Sequence, residues 1–210
     1  MSHSAREQEV HQAWSASITY RAYRNLIGTL LVQNKTTGPN QSEAYIHYTR
    51  LNAHRMNRLD RTVQLLPETI TALNSQEDPI GWLVITEAWC GDAANIVPVL
   101  QQMAEQNEAI DMRLVLRDDH PTLMDHFLTE GGRSIPKLIA FRKADGQVLY
   151  EWGPRPEPAQ QLMREYKAME NPPAYNEIAE TLQKWYNKDR TALIQSEVAA
   201  LVAQHAEILA

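Results

Sequence analysis

The sequence predicts an α/β domain set between two helical extensions, and three observations predict it. Short apolar runs rich in β-favouring residues, of which "WLVITEAW" from Trp82 is the first, alternate with longer amphipathic segments. Across residues 79–170 the alternation runs β-α-β-α-β-β-α. Residues 1–78 and 171–210 carry helical periodicity instead, so an N-terminal extension, a core and a C-terminal extension are expected to pack as one compact unit.

Within residues 7–33, Val10, Trp14, Ile18, Ala22, Leu26 and Leu30 recur at every fourth position, which places one apolar stripe on a single helix. The stretch "NKTTGPNQSE" breaks it. Ser42 and Glu43 open a second helix with Tyr45, Tyr48, Leu51, Met56, Leu59 and Val63 as its apolar positions, and Pro67 suits the first position of a short third. The run from Trp82 is a strand and "AANIVPVLQQMAEQ" a helix. "DMRLVLRDD" is the next strand, and "PTLMDHFLTEGG" reads as a helix stopped by glycine. "PKLIAFRKADG" and "QVLYEWG" form two strands joined by a turn at Asp145-Gly146, followed by the helix "PEPAQQLMREYKAM". After a Pro-Pro break, one or two more amphipathic helices complete the chain.

A chain of 210 residues can bury a substantial core without metals or disulfides. A hydrophobic fraction of 43% and a charged fraction of 22% are ordinary for a globular protein, and a net charge of -6 disfavours nucleic acid and anionic membrane as partners. No apolar run approaches the roughly 18 residues of a membrane helix, and the first residues lack a secretory pattern, so the expected compartment is the cytoplasm. With one cysteine, Cys90, no intramolecular disulfide can form, and redox chemistry requires a partner thiol. Nothing in the sequence calls for a cofactor, and oligomeric state is left open. The seven histidines do not make a metal site: His47 and His54 lie two helical turns apart, and His120 and His126 flank a short helix.

Three local motifs, "AWCGDA" at the end of the first core strand, "SIPKLIAF" at the start of the third and "DGQVLYEWG" in the hairpin, resemble the thioredoxin family over residues 82–169. With "WGPRP" and "WYNKD" added, the chain is similar to bacterial thioredoxin family proteins that keep only the first active-site cysteine. The resemblance implies a thioredoxin fold, a central mixed sheet flanked by helices, here with extra helices at both ends. It implies that Pro136 is cis and faces Cys90. It also matches Ala93 to the lost resolving cysteine and Val84 to the lost buried acid that serves it. The joint loss points to a one-cysteine oxidoreductase acting on a thiol or disulfide substrate, either protein or low-molecular-weight: Cys90 attacks a mixed disulfide and an external thiol releases it.

An unperturbed cysteine is only about 3% ionised at pH 7, so position must activate Cys90. A place at the N-terminus of a helix favours the anion, Gly91 leaves the sulfur accessible, and the carboxylate of Asp92 opposes a second negative charge. Trp89 is expected as a groove wall, Ile135 and Pro136 as the surface for an extended substrate, and Arg133 as a holder of a substrate carboxylate. Each has a plainer reading. Cys90 can be inert core, Pro136 can simply open a strand, and Trp152 packs the hairpin edge. Arg155 can be an exposed arginine or meet an acidic substrate, and Glu87 a strand-end acid or a proton relay. Arg55, Arg58 and Arg61 read as a solvated face interrupted by Asp60. "WYNKD" is expected to anchor the last helix. The alternative to an oxidoreductase is a non-catalytic module whose groove holds an extended peptide. A third reading, a peroxide-reacting cysteine, lacks a neighbouring Thr-x-x-Cys pattern.

Overall fold

The β-favouring runs form a four-stranded mixed sheet: β1 (Ile80–Thr86), β2 (Ile110–Leu116), β3 (Lys137–Arg142) and β4 (Val148–Trp152) lie in the order β2-β1-β3-β4. The structure, a computed structural model, describes residues 4–209, so the first three residues, His3 among them, lie outside it. β1 pairs parallel with β2, and α5 (Gly91–Ala104) makes the crossover between them; β1–β3 and β3–β4 are antiparallel. Every residue of β1 is buried, as expected for a central strand that reads as a continuous apolar run. The β3–β4 turn falls at Asp145-Gly146: Gly146 has φ 72, and the Asp145 carboxylate accepts from the Gln147 amide at 3.2 Å.

The single helix expected over 7–33 is two, α1 (Ala5–Ala16) and α2 (Tyr20–Val32). Between them Ile18 joins the free edge of β2 as an isolated antiparallel bridge, its amide donating to the Leu114 carbonyl at 2.9 Å and its carbonyl accepting from the Leu114 amide at 2.8 Å. Thr19 then caps α2, its hydroxyl accepting from the Ala22 amide. The break shifts the helical phase, so Tyr23 and Ile27 are buried in α2 while Ala22 is exposed.

α3 (Glu43–Thr62) and α4 (Pro67–Asn74) begin at Glu43 and Pro67 as the sequence predicts, with Ser42 capping α3. The glycine-stopped helix is shorter than expected: α6 (Pro121–Asp125) ends before a tight turn in which Thr129 and Gly132 bond each other, with Glu130 at φ 53 and Gly131 at φ 76. Those glycines serve a turn and not a helix stop. α7 (Glu157–Ala168) leads to α8 (Tyr175–Asp189) and α9 (Ala192–Leu209), which are separated where Arg190 and Thr191 both take positive φ.

α3 packs on α5, and α9 packs on α4, α5 and β4. Ile194, Val198 and Val202 of α9 belong to the same apolar core as β1 and α5. Among the described residues no helix is long and apolar enough to cross a membrane.

The chain leaving β4 runs close under the start of β3. Gly153 has φ 108, and a Cβ there would stand 2.5 Å from the Pro136 carbonyl oxygen. Gly153→Ala is expected to cost about 1–3 kcal/mol, read as a lower urea midpoint at unchanged slope.

Candidate functional site

Cys90 is the N-cap of α5, at the turn where β1 hands over to that helix. Its amide donates to the Glu87 carbonyl at 3.1 Å and its carbonyl accepts from Ala94 at 3.2 Å. The thiol donates to the Ile135 carbonyl at 3.3 Å, and the Ala93 amide points at the sulfur at 3.5 Å. The Ile135–Pro136 peptide is cis, and so is Gly153–Pro154, which no motif announced. The structure thus brings together Cys90, Ile135 and Pro136 as the resemblance implies.

The sulfur itself departs from expectation, because Cys90 is only 8% exposed. Burial, reinforced by the Asp92 carboxylate, pushes the thiol up to about 12 against the pull of the Ala93 amide and Arg155. Loss of water outweighs the helix N-terminus, which favours the thiol over the thiolate and leaves the sulfur less accessible than its place before Gly91 suggests.

Asp92 forms a buried ion pair with Arg155 at 2.6 Å, with side chains 8% and 10% exposed, and accepts from the Tyr186 hydroxyl at 2.8 Å. Arg155 also donates to Gln160 at 3.1 Å. The carboxylate therefore pins the loop after β4 and helix α8 to the first turn of α5. Arg155 meets this acid within the fold, and "WYNKD" is an anchor as expected, through Tyr186 and through Asp189, which accepts from the Leu193 amide.

Over Cys90 lies a groove of about 800 Å³ between α3 and α8. One wall is Tyr45, Tyr48, Leu51 and Arg55 of α3; the facing wall includes Tyr175 and Gln183 of α8. Tyr45, Tyr48 and Leu51 were expected to pack inward. Instead α3 buries Ile46, Thr49, Asn52, Met56 and Leu59, and the tyrosines turn to the groove. Arg55, expected on a solvated face, is half-buried there; Arg58, by contrast, is exposed and reaches Asn187 at 3.2 Å. The spacing Tyr48, Leu51, Arg55 is the one available sequence signal that these share a helix face.

Trp89 is a groove wall, its ring 4.8 Å from that of Tyr45 and 4.8 Å from the guanidinium of Arg117. Gly91 and Asp92 line the floor. Arg133 reaches the rim but spends its guanidinium on Asp125 in a two-pronged, solvent-exposed pair at 2.7 Å for each bond. Glu87 is held from within the fold: its carboxyl is fully buried, accepts from the Thr37 hydroxyl and, at 3.0 Å, the Asp118 amide, and has its pKa raised by burial. Trp152 packs the hairpin edge, its indole N–H donating to Glu197 at 2.8 Å. Val84 and Ala93 are buried apolar positions below the site. Among the described residues no group of three or more His, Cys, Asp or Glu could hold a metal ion.

No curated protein matches the chain. Two solved structures resemble it at 14% identity, a level at which the likeness is one of fold. A protein of unknown function, PA1234 from Pseudomonas aeruginosa, gives a TM-score of 0.55 over 72% of this chain and 84% of its own. An HIV epitope scaffold gives 0.52 over 83% of this chain and 96% of its own. The Thioredoxin_9 family, described as thioredoxin, matches residues 38–169, from the loop before α3 through α7, a span that holds Cys90, Pro136 and the α3 wall of the groove. With a sheet, a cysteine-bearing turn and a proline loop arranged as its motifs require, this chain belongs to that thioredoxin-like family.

Proposed function

We propose that this chain is a binding module on the thioredoxin fold, whose groove above Cys90 receives an extended peptide without relying on an ionised sulfur. The observation that carries this reading is the thiol: buried, beside Asp92, with its proton given to the Ile135 carbonyl at 3.3 Å. A sulfur so held is a poor nucleophile at neutral pH. The groove nonetheless has the capacity of a ligand site, about 800 Å³, inside the usual range of roughly 300–1,000 Å³. The Ile135 amide, on its floor, has no partner among the described residues and is free to pair with a peptide backbone.

One observation favours the oxidoreductase as a second reading: the Ala93 amide at 3.5 Å and the nearby Arg155 both stabilise a sulfur anion. Cys90 thiolate would attack a disulfide R–S–S–R, form Cys90–S–S–R and expel RS⁻, and an external thiol would reverse the adduct.

Alkylation by iodoacetamide as a function of pH separates the two. The binding reading expects the rate to climb about tenfold per pH unit from pH 7 to beyond pH 9 with no plateau. A plateau reached below pH 8 would replace it with the one-cysteine mechanism.

A further inference from the structure

Arg55 is the half-buried cation on the groove lining that has no ion pair among the described residues; Lys184, which also lines the groove without one, is exposed on α8. The other arginines on the lining each have a carboxylate: Arg117 pairs with Asp118, Arg133 with Asp125 and Arg155 with Asp92. Among the described residues Arg55 has none; its guanidinium makes one hydrogen bond, donating to the Asn52 side-chain oxygen at 2.9 Å. That bond is part of a built support. Asn52 is fully buried and its amide nitrogen donates to the Ala88 carbonyl at 2.9 Å, so Arg55 is fixed to the same turn that carries Cys90. The Nη1 atom lies 3.5 Å from the point where a Cβ on Gly91 would stand, over the first turn of α5, where helix amides add their own positive potential. Burial and the neighbouring Arg58 lower the Arg55 pKa, and Tyr48 and the Asp92 carboxylate offset this only in part.

The acids on the lining form no ion pair with it, although the Asp92 charge favours its charged form from a distance. Asp92 is engaged by Arg155, and Glu180, exposed on α8, forms no ion pair with it. Among the unpaired charges of the lining, Arg55 and Lys184 outnumber Glu180, whereas the chain as a whole carries -6. Beside Arg55 the walls offer tyrosine rings, and the floor offers the unpaired Ile135 amide.

We propose that the groove's occupant is a short acidic peptide in extended form, one of whose carboxylates is taken by Arg55 while its backbone pairs with the Ile135 amide. This rests on the binding reading above and adds to it the charge of the ligand and the residue that selects it. A carboxylate placed on a half-buried guanidinium makes a charge-assisted bond, stronger than the same contact at a solvated surface.

The test uses the full chain and a randomised hexapeptide library without cysteine, with bound peptides separated by ultrafiltration and sequenced by mass spectrometry. Enrichment of Asp and Glu by about tenfold over the input at one position or more is expected. Arg55→Gln should abolish that enrichment, and Arg55→Lys should keep part of it, with both variants holding the urea midpoint of the natural protein. Retained peptides without an acidic preference, or a preference that survives Arg55→Gln, would overturn the role of Arg55 and leave the binding reading standing. Retention of no peptide at all would sink both.

Discussion

Replacing Arg155 with methionine is expected to lower the unfolding free energy by about 3–5 kcal/mol. The reason lies in what remains: the Asp92 carboxylate, 8% exposed, would keep only the Tyr186 hydroxyl as a partner. Its charge would then have little water and no ion pair. Asp92→Asn leaves the reverse problem, a guanidinium 10% exposed whose Nε already lacks a partner. Substituting both removes both charges, so the double variant Asp92→Asn with Arg155→Met is expected to be more stable than Arg155→Met alone. Urea titrations of the four proteins give the coupling directly, and a value under about 0.5 kcal/mol would mean that the two side chains act independently. Cys90 supplies a second readout that lost stability alone would not produce. Asp92 raises the thiol pKa and Arg155 lowers it, so Asp92→Asn should advance the onset of alkylation to lower pH and Arg155→Met should delay it.

The features that local sequence controls were legible. A run of β-favouring apolar residues became the buried centre of the sheet, Ser42 and Pro67 opened their helices, and Asp145-Gly146 turned the hairpin. The pairing of Cys90 with Ile135 and Pro136 was legible because two separated motifs fix it through one fold. What failed depended on distant partners. Ile18 leaves its helix because the edge of β2 offers Leu114, which the stripe of residues 7–33 cannot show. Periodicity places Tyr48, Leu51 and Arg55 on one side of α3, but only the position of α8 decides that this side borders a groove. The sulfur's ionisation is not legible for the same reason: helix amides act locally, whereas desolvation is imposed by everything packed around the turn. Asp92, Arg155 and Tyr186 meet from three separate stretches of the chain, and none of the three carries a mark of its partners.

A chain ending at residue 170 is expected not to fold, although both the thioredoxin motifs and the family match stop at about that point. α9 inserts Ile194, Val198 and Val202 into the core that contains β1 and α5, and each is almost wholly buried. At about 1.5–3 kcal/mol for each buried aliphatic side chain, the three together contribute roughly 5–9 kcal/mol, against a total stability of about 5–15 kcal/mol for a typical domain. Polar losses add to this. The Gln195 side chain, buried in α9, donates to the Gln64 carbonyl at 3.1 Å and accepts from the Leu66 amide at 2.8 Å, closing the entry to α4. Tyr186 would no longer cover Asp92, and α8 would no longer wall the groove. Circular dichroism on heating should then show no cooperative transition for residues 1–170, with strong binding of a dye specific for exposed apolar surface. A cooperative melt within a few degrees of the full chain would reduce α8 and α9 to an appendage and would require the groove to be rebuilt without them. The expected failure separates two things that a family boundary confounds: motifs mark where the chemistry resides, while the core extends to wherever apolar surface must be covered.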